Sequence, residues 1–143
     1  MIFIIVFIIL SLDQLTKFLI SKNLILNQSV PIINGVVHLT LVHNRGAAFG
    51  ILKNQTFWFI LSALIAIILI FYNLKQNKDR KIFVFSSSLI LAGAVGNLID
   101  RVFFGYVIDF IDFRIWPVFN VADSAITIGA IMLGFSLLRE GKK

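Results

Sequence analysis

Five aspartates, Asp13, Asp100, Asp109, Asp112 and Asp123, lie in or beside the apolar runs of this chain, or in the segment joining two of them. Only Asp79 and Glu140 fall in plainly soluble, basic stretches. A charge inside hydrocarbon costs roughly 2.5–3.5 kcal/mol even on lenient insertion scales, so such a cluster points to a membrane enzyme or an ion pathway. Two carboxylates held close together cannot both ionise cheaply, and they share a proton. The ionised member can take a proton from water while the neutral one polarises or protonates an amide.

Other routes to hydrolysis are closed. The chain has no cysteine, which excludes disulfides, thiolate metal sites and cysteine nucleophiles. His38 and His43 are the only histidines, and no HExxH pattern accompanies them. Neither a metal nor a cofactor is expected. The formal charge of +6 is compatible with nucleic acid. In so apolar a chain, basic residues more often set topology and meet anionic lipid head groups, so nucleic acid is not an expected partner and membrane lipid is.

Several of these acids also have a purely structural reading. Asn120 and Asp123 fit a capping pair, Asn as N-cap and an acid at N3 of a helix. If Val107–Phe113 is extended, Asp109, Ile111 and Phe113 share one face, while Asp112 and Arg114 share the other. Asp112 then has a counter-ion and looks structural, whereas Asp109 points with aromatics into whatever that face covers. Asn97, Asp100 and Arg101 crowd one helix edge, and Gly93 and Gly96 thin the helix just before them. Asp13 and Lys17 are i,i+4, the spacing of a self-satisfying pair. His43-Asn-Arg-Gly-Ala-Ala-Phe-Gly50 reads as a small-residue turn.

The elements that must position these residues are membrane spans. The 143 residues are 59% hydrophobic with a mean hydropathy of +0.96, more than a soluble core of this size can hide. The expectation is one membrane domain over 1–143. Runs of about 20 apolar residues mark spans near 2–20, 57–72, 82–102 and 120–138. The first lacks a basic start and a small-residue cleavage site, so a span is expected there rather than a cleaved leader. Asn73–Lys81 and the last five residues carry seven basic residues, against six elsewhere. That density is expected to be cytoplasmic, which puts both termini inside and the acids toward the outer face. The segment 21–56 is too apolar for a bare loop: Pro31–Gly35 reads as a turn feeding a strand over Val36–Val42. The fold class expected is an α-helical membrane protein of four transmembrane helices with a small extracytoplasmic β-sheet and short periplasmic segments.

Five segments in order, Asp13-Gln-Leu-Thr-Lys17, Asn44-Arg-Gly-Ala-Ala-Phe49, Gly93-Ala-Val-Gly-Asn-Leu-Ile-Asp-Arg101, Val107-Ile-Asp-Phe110 and Phe119-Asn-Val-Ala-Asp-Ser124, resemble the lipoprotein signal peptidases, the type II signal peptidases of bacteria. The resemblance touches all four spans. It implies a multi-pass aspartyl endopeptidase of the bacterial inner membrane that cuts diacylglyceryl-modified prolipoproteins before the lipid-modified cysteine. It implies Asp109 and Asp123 as the catalytic pair, with Asn44, Asn97, Arg101 and Asn120 supporting the site. Asp13, Lys17, Gly46 and Asp100, in the same matched segments, complete the candidate supporting or substrate-binding set. A monomer acting on lipid-modified prolipoproteins is expected.

A proton-coupled small transporter is the main rival, since intramembrane acids can relay protons. It predicts acids spread through the membrane's depth and internal symmetry, and the chain shows neither feature. A structural subunit whose acids pair with a partner's basic residues gives no reason for two separate Asn-x-x-Asp elements.

Overall fold

The computed structural model describes residues 1–46 and 55–140; the Ala47–Phe49 part of the second matched segment and the last two lysines lie outside the described residues. Four helices form because four stretches are apolar over at least 18 residues: α1 (Ile2–Asn23), α2 (Thr56–Gln76), α3 (Lys81–Phe104) and α4 (Val121–Glu140). Their apolar windows have mean hydropathies from 1.8 to 2.4, and each is long enough to cross a bilayer. The strands are β1 (Ser29–Ile33), β2 (Val37–Asn44) and β3 (Val107–Asp112).

The helices are not equivalent. The apolar window of α3 is 61% buried against 6% for α2, so α3 is the axis of the bundle and α2 presents nearly all its surface outward. α3 packs against the other three helices. Two of its buried serines are satisfied within the helix: Ser86 Oγ donates to Ile82 O at 2.8 Å and Ser88 Oγ to Val84 O at 2.6 Å. That is how hydroxyls are tolerated where no water is available. Gly93 and Gly96 lie where α3 meets its neighbours. A methyl at Gly96 would sit 2.6 Å from Asp13 Oδ2, and one at Gly93 would collide with Ala122 O. Small residues there let α1 and the start of α4 reach the α3 backbone. At the far end of the bundle, Leu74, Phe83 and Val84 form an apolar cluster with Ile2, Ile70 and Leu133.

The sheet is antiparallel in the order β1-β2-β3. Two details differ from the sequence reading. Pro31 is not in the turn: it belongs to β1, and only Asn34–Val36 turn before β2. β1 is an edge strand, where a residue without an N–H is tolerated. β3 also ends at Asp112, and Arg114 has φ 65°, so the alternation expected through Arg114 is broken. Its guanidinium still reaches Asp112, at 3.1 Å, by turning back rather than by sharing a strand face.

A register shift between Leu39 and Val42 inserts one extra residue of β2 opposite β3, pairing Val42 with Asp109 and Asn44 with Val107. Asn44 is thereby the diagonal neighbour of Asp109. The chain then loops and returns to β3. Phe119 N donates to Ile111 O at 3.1 Å, and Phe110 N and Ile111 N both donate to Phe119 O. This return lays Asn120, and with it the start of α4, beside Asp109.

Candidate active site

Three elements deliver the acids to one end of the bundle. α1 carries Asp13 and Lys17, α3 carries Asn97, Asp100 and Arg101, and the β3-to-α4 connection carries Asp109, Asn120 and Asp123. They separate into two connected clusters.

The first is centred on Lys17, which is 2% exposed. Its ammonium has three donors and all are used: Asp13 Oδ2 at 2.8 Å, Asp100 Oδ2 at 2.8 Å and Asn97 Oδ1 at 3.0 Å. The i,i+4 pair Asp13–Lys17 is therefore only part of a larger network. Gln14 Nε2 lies 3.0 Å from Asp13 Oδ2, 3.1 Å from Asp100 Oδ1 and 3.3 Å from Gly96 O. Both carboxylates also accept backbone N–H groups, Asp13 Oδ1 from Ala122 at 2.9 Å and Asp100 Oδ2 from Ile108 at 3.0 Å.

The second cluster joins Asp109 to Asp123 through amides. Asn120 Nδ2 donates to Asp109 Oδ1 at 2.7 Å and lies 3.1 Å from Asn97 Oδ1. Asn97 Nδ2 donates to Asp123 Oδ1 at 2.8 Å. Lys17, donating to Asn97 Oδ1, leaves that amide's NH2 group facing Asp123. The other oxygen of Asp109 accepts from Asn44 Nδ2 at 2.9 Å. Gly46 N donates to Asn44 Oδ1 at 3.0 Å, which orients the amide in the same way. Asn120 and Asp123 also form the reciprocal cap their spacing suggests. Asp123 N donates to Asn120 Oδ1 at 2.8 Å, and Asn120 N donates to Asp123 Oδ2 at 3.2 Å. The capping geometry and a chemical role coexist at the same residues.

Burial and the nearby charge of Asp123 push the Asp109 carboxyl up to about 7, against the opposing pull of hydrogen bonds from Asn44 and Asn120 and the charge of Lys17. Asp112 behaves oppositely. Although burial works against it, hydrogen bonds from Thr40 and Arg114 and the Arg114 charge hold its carboxyl below the usual carboxylate range. Asp112 joins neither cluster.

A cavity of about 330 Å³ opens on the second cluster, with Asn44, Asn97, Arg101, Asp109 and Asp123 in its wall. The Arg101 guanidinium rests 5.0 Å from the centre of the Phe59 ring, which also lines the cavity. A larger groove of about 650 Å³ adjoins it and shares Trp116, Phe119, Asp123 and Thr127. The rest of its lining is mostly apolar: Val36, Phe113, Ile115 and Ile128. Among the described residues no group of three or more histidines, cysteines and acids is placed to hold a metal ion.

Sequence reasoning did not single out Gln14, although it stands beside Asp13 in the first matched segment. Phe59, Trp116 and Phe119 were also missed, because aromatics are too common in this chain to stand out. Thr127, one turn beyond Asp123 on α4, had a spacing signal that was not used.

The family model for signal peptidase (SPase) II matches residues 5–139. A lipoprotein signal peptidase of Halothermothrix orenii is 45% identical over 142 residues, covering 99% of this chain and 98% of the relative. One from Moorella thermoacetica is 50% identical over 131 residues, covering 91% and 87%. A solved bacterial membrane enzyme structure superposes with a TM-score of 0.91 at 35% identity, covering 98% of this chain and 88% of that one. A second such structure gives 0.88 at 36% identity, covering 96% and 92%.

Proposed function

The chain belongs to the signal peptidase II family: it is a multi-pass bacterial membrane peptidase that removes signal peptides from prolipoproteins, and we propose that Asp109 and Asp123 activate the water that cuts them. The observation that carries this reading is the pair of carboxylates tied together by Asn97 and Asn120 in the wall of one cavity.

The reaction divides between the two acids. Asp123 sits at the start of α4, where the helix dipole and two N–H donors favour a carboxylate, and it takes a proton from water. The resulting hydroxide forms a C–O bond to the scissile carbonyl. Asp109, whose carboxyl burial raises to about 7, polarises that carbonyl in its protonated form and then supplies the proton on which the amine leaves as the C–N bond breaks. Arg101 and the amides of Asn44, Asn97 and Asn120 orient the pair and offset charge that develops on the oxygen.

The cut lies before the lipid-modified cysteine of a diacylglyceryl-modified prolipoprotein. The mostly apolar groove beside Asp123 is a fitting receptacle for the apolar part of such a substrate, and lipid around α2 completes the surroundings. The enzyme works as a monomer. Both termini and Asn73–Lys81 face the cytoplasm, since the basic density lies there and the acids gather at the other end of the bundle. A proton relay would need acids through the membrane's depth, which supports the peptidase over the transporter.

Incubating the purified protein with a diacylglyceryl-modified prolipoprotein tests the function: release of the signal peptide is expected, and its absence from folded enzyme counts against the reading. For orientation, a cysteine probe at Asn34 should react with an external reagent and one at Asn77 should not.

A further inference from the structure

The backbone groups held by Asp13 and Asp100 are Ala122 N and Ile108 N. Ala122 immediately precedes Asp123, and Ile108 immediately precedes Asp109. Two carboxylates from two different helices therefore each grip the residue before one member of the proposed catalytic pair. Lys17 ties those carboxylates to each other at 2.8 Å on both sides, and Gln14 spans them a second time. The path from Asp109 to Asp123 begins and ends with a peptide bond, to Ile108 and from Ala122, and between these it runs through Asp100, Lys17 and Asp13 by short polar contacts.

We propose that Asp13, Gln14, Lys17 and Asp100 form a bracket that sets the separation of Asp109 and Asp123, and that they are positioning residues for the reaction. The proposal rests on Asp109 and Asp123 being the pair that does the chemistry. Four observations carry it. All three charged members are nearly inaccessible, at 0% exposure for Asp13, 2% for Lys17 and 1% for Asp100, so none faces substrate. The members come from α1 and α3, whereas the groups they hold belong to β3 and α4. Gly96 has no side chain where one would strike Asp13. Lys17 further extends the bracket to Asp123 through Asn97.

A separation fixed in this way has a chemical consequence. The splitting of the two apparent pKa values of a coupled acid pair grows with their mutual repulsion, which falls as they move apart. The other charges facing the pair are Lys17 from α1 and Arg101 from α3; Asp100, also from α3, faces Lys17 and Arg101. Loosening the bracket should narrow the bell-shaped pH profile of kcat as well as lower its height.

The test is cleavage of a diacylglyceryl-modified prolipoprotein by the full chain in detergent across the pH range. Asp13→Ala frees the Ala122 N–H and should lower kcat by about 10²-fold, the scale of a small misplacement, with KM little changed. The two limbs of its pH profile should draw together. Asp13→Asn, which retains an oxygen for that N–H but turns an NH2 group toward Lys17 and Gln14, should recover only part of the loss. Gln14→Leu, which removes the second span and leaves the ion pairs, should narrow the profile less; it decides the matter wherever Asp13→Ala fails to fold. Unmoved limbs, or a loss confined to KM, overturn the bracket. Asp109→Asn and Asp123→Asn are run alongside: near-parental turnover by either overturns the catalytic assignment itself, whereas two severely impaired variants with unmoved limbs in the bracket mutants overturn the bracket alone.

Discussion

The Lys17 cluster and the Asp109–Asp123 pair use the same acid, lie at the same end of the bundle and share Asn97, yet they are built for opposite tasks. Asp13 and Asp100 meet an ammonium and backbone N–H groups and are almost wholly inaccessible. Asp109 and Asp123 meet side-chain amides and open onto a cavity. A buried carboxylate with a cation has its charge settled; a buried carboxylate beside another carboxylate, with only amides touching it, has a proton still to place. The partner, more than the depth, separates scaffold from chemistry in this molecule. Asp112 makes a third case, set by Thr40 and a half-exposed Arg114.

The contrast breaks most visibly in turnover. Asp109→Asn and Asp123→Asn keep shape but cannot exchange a proton, so each should lower cleavage by ~10²–10⁴-fold or more while the protein stays folded. The double variant should be little worse than either single one, because the two act as a unit. Kinetics on a lipidated prolipoprotein at matched folding decide it, and additive losses would mean two independent roles.

Lys17→Met should act on stability first. It leaves Asp13 and Asp100 buried without their cation, a loss of about 3–5 kcal/mol. Denaturant unfolding in detergent measures it, and wild-type stability would erase the distinction drawn between the clusters.

A subtler difference appears in the pH dependence of stability. Because the Asp109 carboxyl is raised to about 7, the folded state binds that proton more tightly than the unfolded chain. Its contribution is fully present below the ordinary carboxylate range and is lost as pH rises through about 7. Asp109→Asn should match the parent in acid and exceed it in thermal midpoint on the alkaline side. A variant that instead gains stability only in acid would reverse the assignment of the neutral acid.

The smallest effect is expected at Asp112. Its ion pair with Arg114, whose side chain is 49% exposed, is worth about 0–1 kcal/mol, and Asp112→Asn should keep most activity. An inactive, folded Asp112→Asn would move the chemistry to the other side of β3.

Much of the architecture could be read directly from residue order. Four apolar stretches define four spans because a helix in lipid satisfies its own backbone, and that requirement is local. Asn120 and Asp123 announce a helix start for the same reason: the cap closes within four residues. The matched segments brought the right acids to notice. β1 was not foreseen, because Pro31 beside Asn34 and Gly35 looks like turn material until an edge position makes it a strand.

Residue types and spacing thus determined the membrane setting, the chemistry available and the candidate acids. Which acid does what was left to tertiary structure. Lys17 could have been read as neutralising Asp13 alone, four residues away; folding also sets it against Asp100 and against Asn97, 80 residues on. Asp13 holds an N–H 109 residues away. Local propensity depends on neighbours along the chain, whereas the charge state and position of a buried carboxylate depend on groups that only packing can bring within hydrogen-bonding distance.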